Sequence, residues 1–161
     1  MAGWIKSESR EKIPMDGYID EREVMPAQRD GVVERMLSAL PSAPADGRDV
    51  VTEAIVSCQD CAQAATACAD ACLGEEMVEE LSGCVRALLD AADIAAVTAR
   101  VLSRTATDPA VVRAQLTACW TASRHAREQC QEHRSIQHHR ESCARACRHA
   151  ELACRALLDR P

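Results

Sequence analysis

From residue 49 to residue 158, apolar side chains recur three and four positions apart. This spacing places them on one face of an α-helix, and it differs from the alternation of a half-buried strand. Gly74 predicts one break between helices, and Pro109 after an Asp108 or Thr107 N-cap predicts the next. A third break is placed at 134–137. The predicted helices are α2 at about 49–73, α3 at about 75–104, α4 at about 109–133 and α5 ending near residue 158.

The N-terminal segment differs from the rest of the chain. Residues 1–46 contain four of the six prolines and no cysteine. We expect residues 1–25 to be mostly irregular and residues 41–47 to form a linker. Between them the pattern predicts a short helix, α1, at about 27–40. The side chains expected to be buried on it are Val33, Met36, Leu37 and Leu40. The division is therefore an N-terminal extension over 1–46 and a second domain over 47–161.

The composition of the apolar positions indicates how the helices pack. The chain has no Phe, one Tyr and two Trp, so its core consists mainly of Ala, Leu, Val and Cys. Small side chains allow helices to approach closely, and short connections make sequential helices antiparallel. The sequence therefore predicts an all-α fold, an antiparallel four-helix bundle with a cysteine-lined core.

All ten cysteines lie within the predicted bundle helices. At about 100° per residue, Cys58, Cys61, Cys68 and Cys72 fall within an arc of about 80° on α2. The companions on this face are apolar or small, so the cysteine stripe is also the core stripe. The other six cysteines are Cys84 on α3, Cys119 and Cys130 on α4, and Cys143, Cys147 and Cys154 on α5.

Antiparallel alignment predicts two groups of thiols. We call the end where α2 turns into α3 and α4 into α5 the mouth. The six cysteines expected near the mouth are Cys68, Cys72, Cys84, Cys130, Cys143 and Cys147. The four expected deeper in the bundle are Cys58, Cys61, Cys119 and Cys154.

Clustered reduced thiols indicate a metal site. A single buried cysteine is ordinarily a small hydrophobic residue, whereas ten facing one core are prone to oxidation unless they bind metal. Thiolates select Cu(I), Zn(II) or iron–sulfur clusters. Pairs three or four residues apart can hold an ion in two-coordinate fashion, which suits Cu(I). Zinc prefers a closed tetrahedron and would leave six thiols unused, and the usual iron–sulfur cysteine runs are absent from the sequence.

Two histidines are predicted to lie at the mouth, where they could also bind metal. His133 and His139 fall on the core faces of α4 and α5, one turn from a cysteine. Imidazole is a competent copper ligand, so both are candidates for accepting copper where it enters. The alternative is that His133, His138 and His139 are polar residues near a turn. His125 and His149 point away from the core and are expected at the surface.

Charge and targeting features point to the cytosol. The net charge is -6 with both signs mixed, and neither a targeting segment nor an apolar run of membrane-spanning length is visible. We therefore expect a cytoplasmic protein with reduced thiols and no membrane partner. The C-terminal arginines are not accompanied by the aromatic side chains on which proteins stack single-stranded nucleic acid. We therefore expect them to form a solvated face and to bind no nucleic acid. These arginines are Arg124, Arg127, Arg134, Arg140, Arg145, Arg148, Arg155 and Arg160.

The same cysteine runs carry a family resemblance. CQDCAQAATACADAC at 58–72 and HHRESCARACRHAELACRAL at 138–157 resemble the cysteine-rich four-helix-bundle copper-storage proteins. The resemblance spans about 50–158. It implies that core thiolates hold many Cu(I) ions and that copper enters at a histidine-bearing end. It also implies a cytosolic homo-oligomer, commonly a tetramer, supplied by a copper chaperone or chelator.

The chain departs from the family pattern in its cysteine number. Storage members usually carry several cysteines on every helix, whereas α3 here has one. Positions where further thiols would be expected carry Ala64, Ala65, Ser123, Ala126 and Ala150. This departure predicts a lower copper capacity than the family resemblance implies.

Three functions remain open from the sequence. The first is a protein, not an enzyme, that stores or buffers Cu(I). The second is an enzyme that uses a smaller copper site or the thiols themselves. The third is a structural module that binds zinc or an iron–sulfur cluster. No Ser-His-Asp, P-loop or dinucleotide motif supports a specific catalytic activity, so the first is preferred.

Overall fold

A computed structural model describes residues 29–39, 47–76, 78–104, 106–132 and 138–160. Within these ranges the chain forms five α-helices and no strand, which confirms the predicted all-α fold. The helices are α1 (Arg29–Ala39), α2 (Arg48–Leu73), α3 (Ser82–Leu102), α4 (Pro109–Glu132) and α5 (His138–Leu158). None of the described helices is both long enough and apolar enough to span a membrane.

Helices α2 to α5 form a four-helix bundle. In it α2 packs against α3 and α5, and α4 packs against the same two helices. Cys58 near the start of α2 lies against Cys154 near the end of α5, so these two helices run antiparallel. Cys58 also lies against Cys119 in the first half of α4, so the diagonal helices α2 and α4 run in the same direction.

Local sequence signals explain most helix ends. Gly47 has φ +86°, a left-handed conformation that favours glycine, and α2 begins at the next residue. Gly74 follows the last residue of α2. Asp108 is the N-cap predicted for α4, because its Oδ1 accepts a 2.7 Å hydrogen bond from the Ala110 amide.

The predicted start of α3 was wrong. The helix begins at Ser82 rather than near residue 75, and the described residues between 74 and 81 form turns and a bend. Glu75 leaves the helical path in this segment and forms an ion pair with Arg140 of α5. This acidic, apolar stretch is therefore not helical despite its propensity, and it contributes a tertiary ion pair instead.

Alanine and cysteine fill much of the core, as the composition predicts. Away from the mouth, the fully buried Ala54, Ala91 and Ala95 allow close packing of α2 and α3. Larger side chains close the end opposite the mouth, where Ile55, Leu102 and Leu116 are buried. The thiol-lined part of the core is therefore enclosed at that end by ordinary apolar packing.

Helix α1 packs against α2 through fewer side chains than predicted. Leu37 is buried and Val33 is partly buried against the bundle core. The prediction for Met36 was wrong, because its side chain is 63% exposed. The predictions for Leu40, for residues 1–25 and for most of the linker fall outside the described residues, as does the break at 134–137.

Candidate metal centre

All ten cysteines are buried and free of disulfide bonds. Each has an exposed fraction of 2% or less, so the helical-face prediction of their position is correct. Because α2, α4 and α5 each contribute two or more thiols to one shared interior, sulfur atoms from different helices meet. We call the resulting series of neighbouring sulfur atoms the thiol column.

The inner cluster is formed by Cys58, Cys119 and Cys154. The Sγ atom of Cys58 lies 3.7 Å from that of Cys119 and 3.9 Å from that of Cys154. All three sulfur atoms lie within 4.8 Å of one another. Three different helices thus present one ligand atom each to a common point, an arrangement that can hold a soft metal ion.

The outer cluster is formed by Cys68, Cys130 and Cys143. Their sulfur atoms also lie within 4.8 Å of one another. Cys84, the single cysteine of α3, is not one of these three ligands, but its interaction with Cys130 lowers the pKa of the Cys84 thiol. The outer cluster therefore has a fourth thiol beside it, supplied by the helix with the fewest cysteines.

Cys61 and Cys147 connect the two clusters. Their sulfur atoms are 3.7 Å apart, and Cys147 lies 4.0 Å from Cys143 of the outer cluster. On the inner side, Ser123 Oγ lies 3.8 Å from Cys61 and 3.9 Å from Cys119. The predicted division into four deep and six outer thiols was therefore too sharp, because Cys61 pairs with Cys147 across α2 and α5.

The mouth holds a mixed cluster with one histidine. His139 Nε2 lies 3.9 Å from Cys72 Sγ, and both atoms group with Cys68 Sγ within 4.8 Å. The structure therefore brings His139 to the position that the helical count predicts. Because Cys68 belongs to this cluster and to the outer cluster, the mouth is continuous with the thiol column.

An ion pair beside the mouth was missed by the sequence reasoning. Arg140 is 1% exposed and donates from Nη2 to Glu75 Oε2, while His139 Nε2 lies 3.4 Å from Glu75 Oε1. Burial lowers the pKa of Arg140, but the ion pair with Glu75 outweighs it, so the net shift is upward. The sequence did contain a signal for the burial of Arg140. Because Arg140 precedes Cys147 by seven residues, the two side chains share one helical face.

The remaining histidines contribute less to the described site. His125 and His149 are exposed, as predicted for surface residues. His133 and the side chain of His138 fall outside the described residues. The expectation that His133 faces the mouth therefore stays a prediction.

In each three-thiol cluster the other two cysteines lower the pKa of one cysteine. In the outer cluster, hydrogen bonds from Cys130 and Cys143 lower the pKa of Cys68 to about 3. In the inner cluster, hydrogen bonds from the other two thiols lower the pKa of Cys119 to about 3. Hydrogen bonding to its neighbours raises the pKa of Cys58, which stays protonated as a donor. Each cluster thus contains one thiol that ionises most readily and others that release protons when a metal binds.

Comparisons with known proteins agree with this geometry. The sequence model of the copper storage protein family (Csp) matches residues 48–159, which span all four bundle helices. The chain belongs to the copper storage protein family. The resemblance predicted from the two cysteine runs is therefore confirmed, together with the copper-binding class of the site.

Solved structures extend the family assignment. The copper storage protein Ccsp from Streptomyces lividans, loaded with 10 copper equivalents, is 42% identical with a TM-score of 0.75. That match covers 78% of this chain and 97% of Ccsp. A cytosolic copper storage protein from Streptomyces lividans with five coppers is 39% identical, with a TM-score of 0.66 and coverage of 81% and 98%. The comparison with curated proteins gave no significant match.

The metal-free chain is expected to lose thermal stability as the pH rises above about 9. Burial raises the pKa of Cys72 from 9.0 to about 12, so the unfolded chain ionises this thiol at lower pH than the folded chain does. The stabilising contribution is complete below the unfolded value and is lost as the pH rises towards the folded value. Cys72 alone removes about 1.4 kcal/mol per pH unit, which lowers Tm by about 3 °C.

Anaerobic thermal melts across this alkaline range measure the effect. The variant Cys72→Ser keeps the size of the side chain and removes the titrating thiol, so its Tm should fall less steeply with pH. A Tm that stays constant from pH 9 to 11 in the unsubstituted chain would contradict the prediction.

Proposed function

We propose that this chain stores or buffers Cu(I) in the cytosol and turns over no substrate. The proposed ligands are the ten core cysteines, with His139 and His133 accepting copper at the mouth. The observation that carries this proposal is the thiol column, in which every cysteine of the chain is buried and free. A catalytic site needs one shaped centre with an open position, whereas a column of interchangeable ligands suits retention of several ions.

The coordination number favours Cu(I) over zinc. Structural zinc sites are closed tetrahedra with four protein ligands. Among the described residues, each of the three candidate groups brings three ligand atoms within 4.8 Å of one another, and none brings four. Soft thiolates in sets of two or three match the low coordination numbers of Cu(I). An ion at any of these positions has neighbouring thiols to which it can move.

The location and partners are assigned here by analogy with the family. A relative is described as a cytosolic copper storage protein, and we assign this chain to the same compartment, where thiols stay reduced. The homo-oligomer and the delivering copper chaperone or chelator remain predictions from the resemblance. The lower capacity also remains a prediction, and it has a structural basis. Ala65, Ser123, Ala126 and Ala150 are fully buried in the core without supplying thiols.

An anaerobic titration with Cu(I) against a chromophoric chelator tests the proposal. We expect at least three tightly bound ions per chain, one for each candidate group, and protection of all ten thiols from alkylation. Tight binding of one Zn(II) together with failure to retain Cu(I) would overturn the storage function. Cu(I) binding that saturates at one ion with most thiols still reactive would favour a dedicated site instead.

A pair of variants on α4 localises the bound copper. Cys119→Ser removes one ligand of the inner cluster with little change in volume, and it should lower the stoichiometry. Ala118→Ser on the exposed side of the same helix is the matched control and should keep the full count. Equal stoichiometry in both variants would show that the inner cluster does not hold copper.

A further inference from the structure

Helices α4 and α5 enclose a cleft of about 250 Å³ on the side of the bundle. This volume is slightly below the range of about 300–1,000 Å³ that is usual for ligand clefts, so the cleft can take only a small molecule or part of one. The sequence predicts the C-terminal arginines to be a dispersed solvated face, but four of them meet in the wall of this cleft. The charged residues of the wall are Arg127, Arg140, Glu141, Arg145 and Arg148.

Positive charge exceeds negative charge around the cleft. Arg127 Nε and Arg148 Nη1 lie 2.8 Å and 3.8 Å from the same carboxylate oxygen, Oε2 of Glu151. Arg145 is exposed and forms no ion pair within the described ranges. Arg127 Nη2 also lies 3.5 Å from Glu128 Oε1, and Glu128 in turn pairs with Arg124. When this pair, Glu75 and the glutamate of the wall are counted, five guanidinium groups stand against four carboxylates. The cleft is therefore suited to an anionic ligand.

The cleft also adjoins the thiol column. Cys130 lines the cleft, and its Sγ lies within 4.8 Å of Cys68 and Cys143 in the outer cluster. A ligand in the cleft is thus next to a residue of the outer cluster without passing the Cys72–His139 pair at the mouth. This position places an arginine-rich wall beside a cysteine of the outer cluster.

We propose that the cleft binds anionic Cu(I) complexes of small carboxylate-bearing thiols and that copper passes from them to Cys130. The inference rests on the proposed Cu(I) storage function. In a reducing compartment Cu(I) is bound by small thiols such as glutathione. A two-coordinate bis-thiolate complex of Cu(I) already has one negative charge, and the carboxylates of the thiol add more. Guanidinium groups bind such carboxylates through paired hydrogen bonds.

The transfer is a ligand exchange without oxidation or reduction. A Cu–S bond to one carrier thiolate breaks as a Cu–S bond to Cys130 Sγ forms, and copper stays Cu(I) throughout. The proton of the Cys130 thiol moves to the departing thiolate, which leaves as a free thiol. In a second exchange the Cys143 thiol forms a Cu–S bond and gives its proton to the second carrier thiolate, which leaves as a free thiol and leaves copper in the outer cluster.

Anaerobic stopped-flow loading tests the cleft with two probes. One probe is the Cu(I)–glutathione complex, which is anionic, and the other is Cu(I) in acetonitrile, which is not. The variant Arg145→Gln/Arg148→Gln removes two exposed charges of the wall. We expect the ratio of the glutathione-complex rate to the acetonitrile-complex rate to fall about tenfold.

A matched variant separates the cleft from overall charge. Arg100→Gln/Arg155→Gln removes the same charge from two exposed arginines that do not line the cleft, and it should keep the original ratio. An equal fall of the ratio in both variants, or no fall in either, would overturn the cleft proposal. Failure of the unsubstituted chain to retain Cu(I) from either probe would instead overturn the storage function.

Discussion

Loading the protein with Cu(I) is expected to raise its melting temperature by at least about 20 °C. The folded chain presents three groups of preorganised ligand atoms, whereas the unfolded chain has dispersed thiols. An ion held at a thousand times its Kd adds about 4 kcal/mol to the free energy of unfolding, so three such ions add about 12 kcal/mol. Differential scanning calorimetry of the metal-free and loaded chains under anaerobic conditions measures the shift.

The inner cluster provides a graded control for this shift. Cys58→Ser/Cys119→Ser removes two of its three ligands, so the loaded variant should lose about a third of the stabilisation. Zn(II) in place of Cu(I) should give a smaller shift, because no described group offers four ligands. A rise of less than about 5 °C with Cu(I) would contradict copper binding in a preorganised core.

The variant Glu75→Gln is expected to destabilise the metal-free protein by about 3 kcal/mol. Arg140 is 1% exposed, and glutamine keeps the shape of Glu75 but removes the charge that balances the guanidinium. Breaking a buried ion pair on one side leaves the other charge poorly compensated in a medium of low polarity. Urea denaturation at neutral pH measures the change in the free energy of unfolding.

Two further variants separate this effect from general loss of charge. Glu75→Gln/Arg140→Met replaces the pair with uncharged side chains and should recover most of the stability. Asp159→Asn breaks the exposed Arg155–Asp159 pair and should cost less than about 1 kcal/mol. If Glu75→Gln cost no more than Asp159→Asn, the buried pair would not stabilise the bundle.

Helical periodicity was sufficient to predict the architecture and the side on which the cysteines lie. The spacings between Cys58, Cys68 and Cys72 place all three on one face of the helix. Burial of that face follows from the apolar residues beside them. The same count placed His139 beside the cysteines of the mouth. Both features are local, because they depend only on positions within one helix.

Features that depend on two distant segments could not be predicted in this way. The segment before α3 contains Glu75, whose ion-pair partner Arg140 lies 65 residues away in the sequence. The pairing of Cys61 with Cys147 depends on the register of α2 against α5, and one helical turn decides which thiols meet. The C-terminal arginines looked dispersed because convergence on a cleft requires two helices side by side.

The buried apolar side chains of Ile55, Leu102 and Leu116 close the thiol column at the end opposite the mouth. The column is therefore open at the mouth and closed at its inner end. An ion that reaches the inner cluster can leave only by exchanging past the ions that arrived after it. The store should therefore work in the manner of a stack, with the most recently acquired copper returned first. The most recently bound ions would transfer quickly to an acceptor, and the ions bound first would exchange much more slowly.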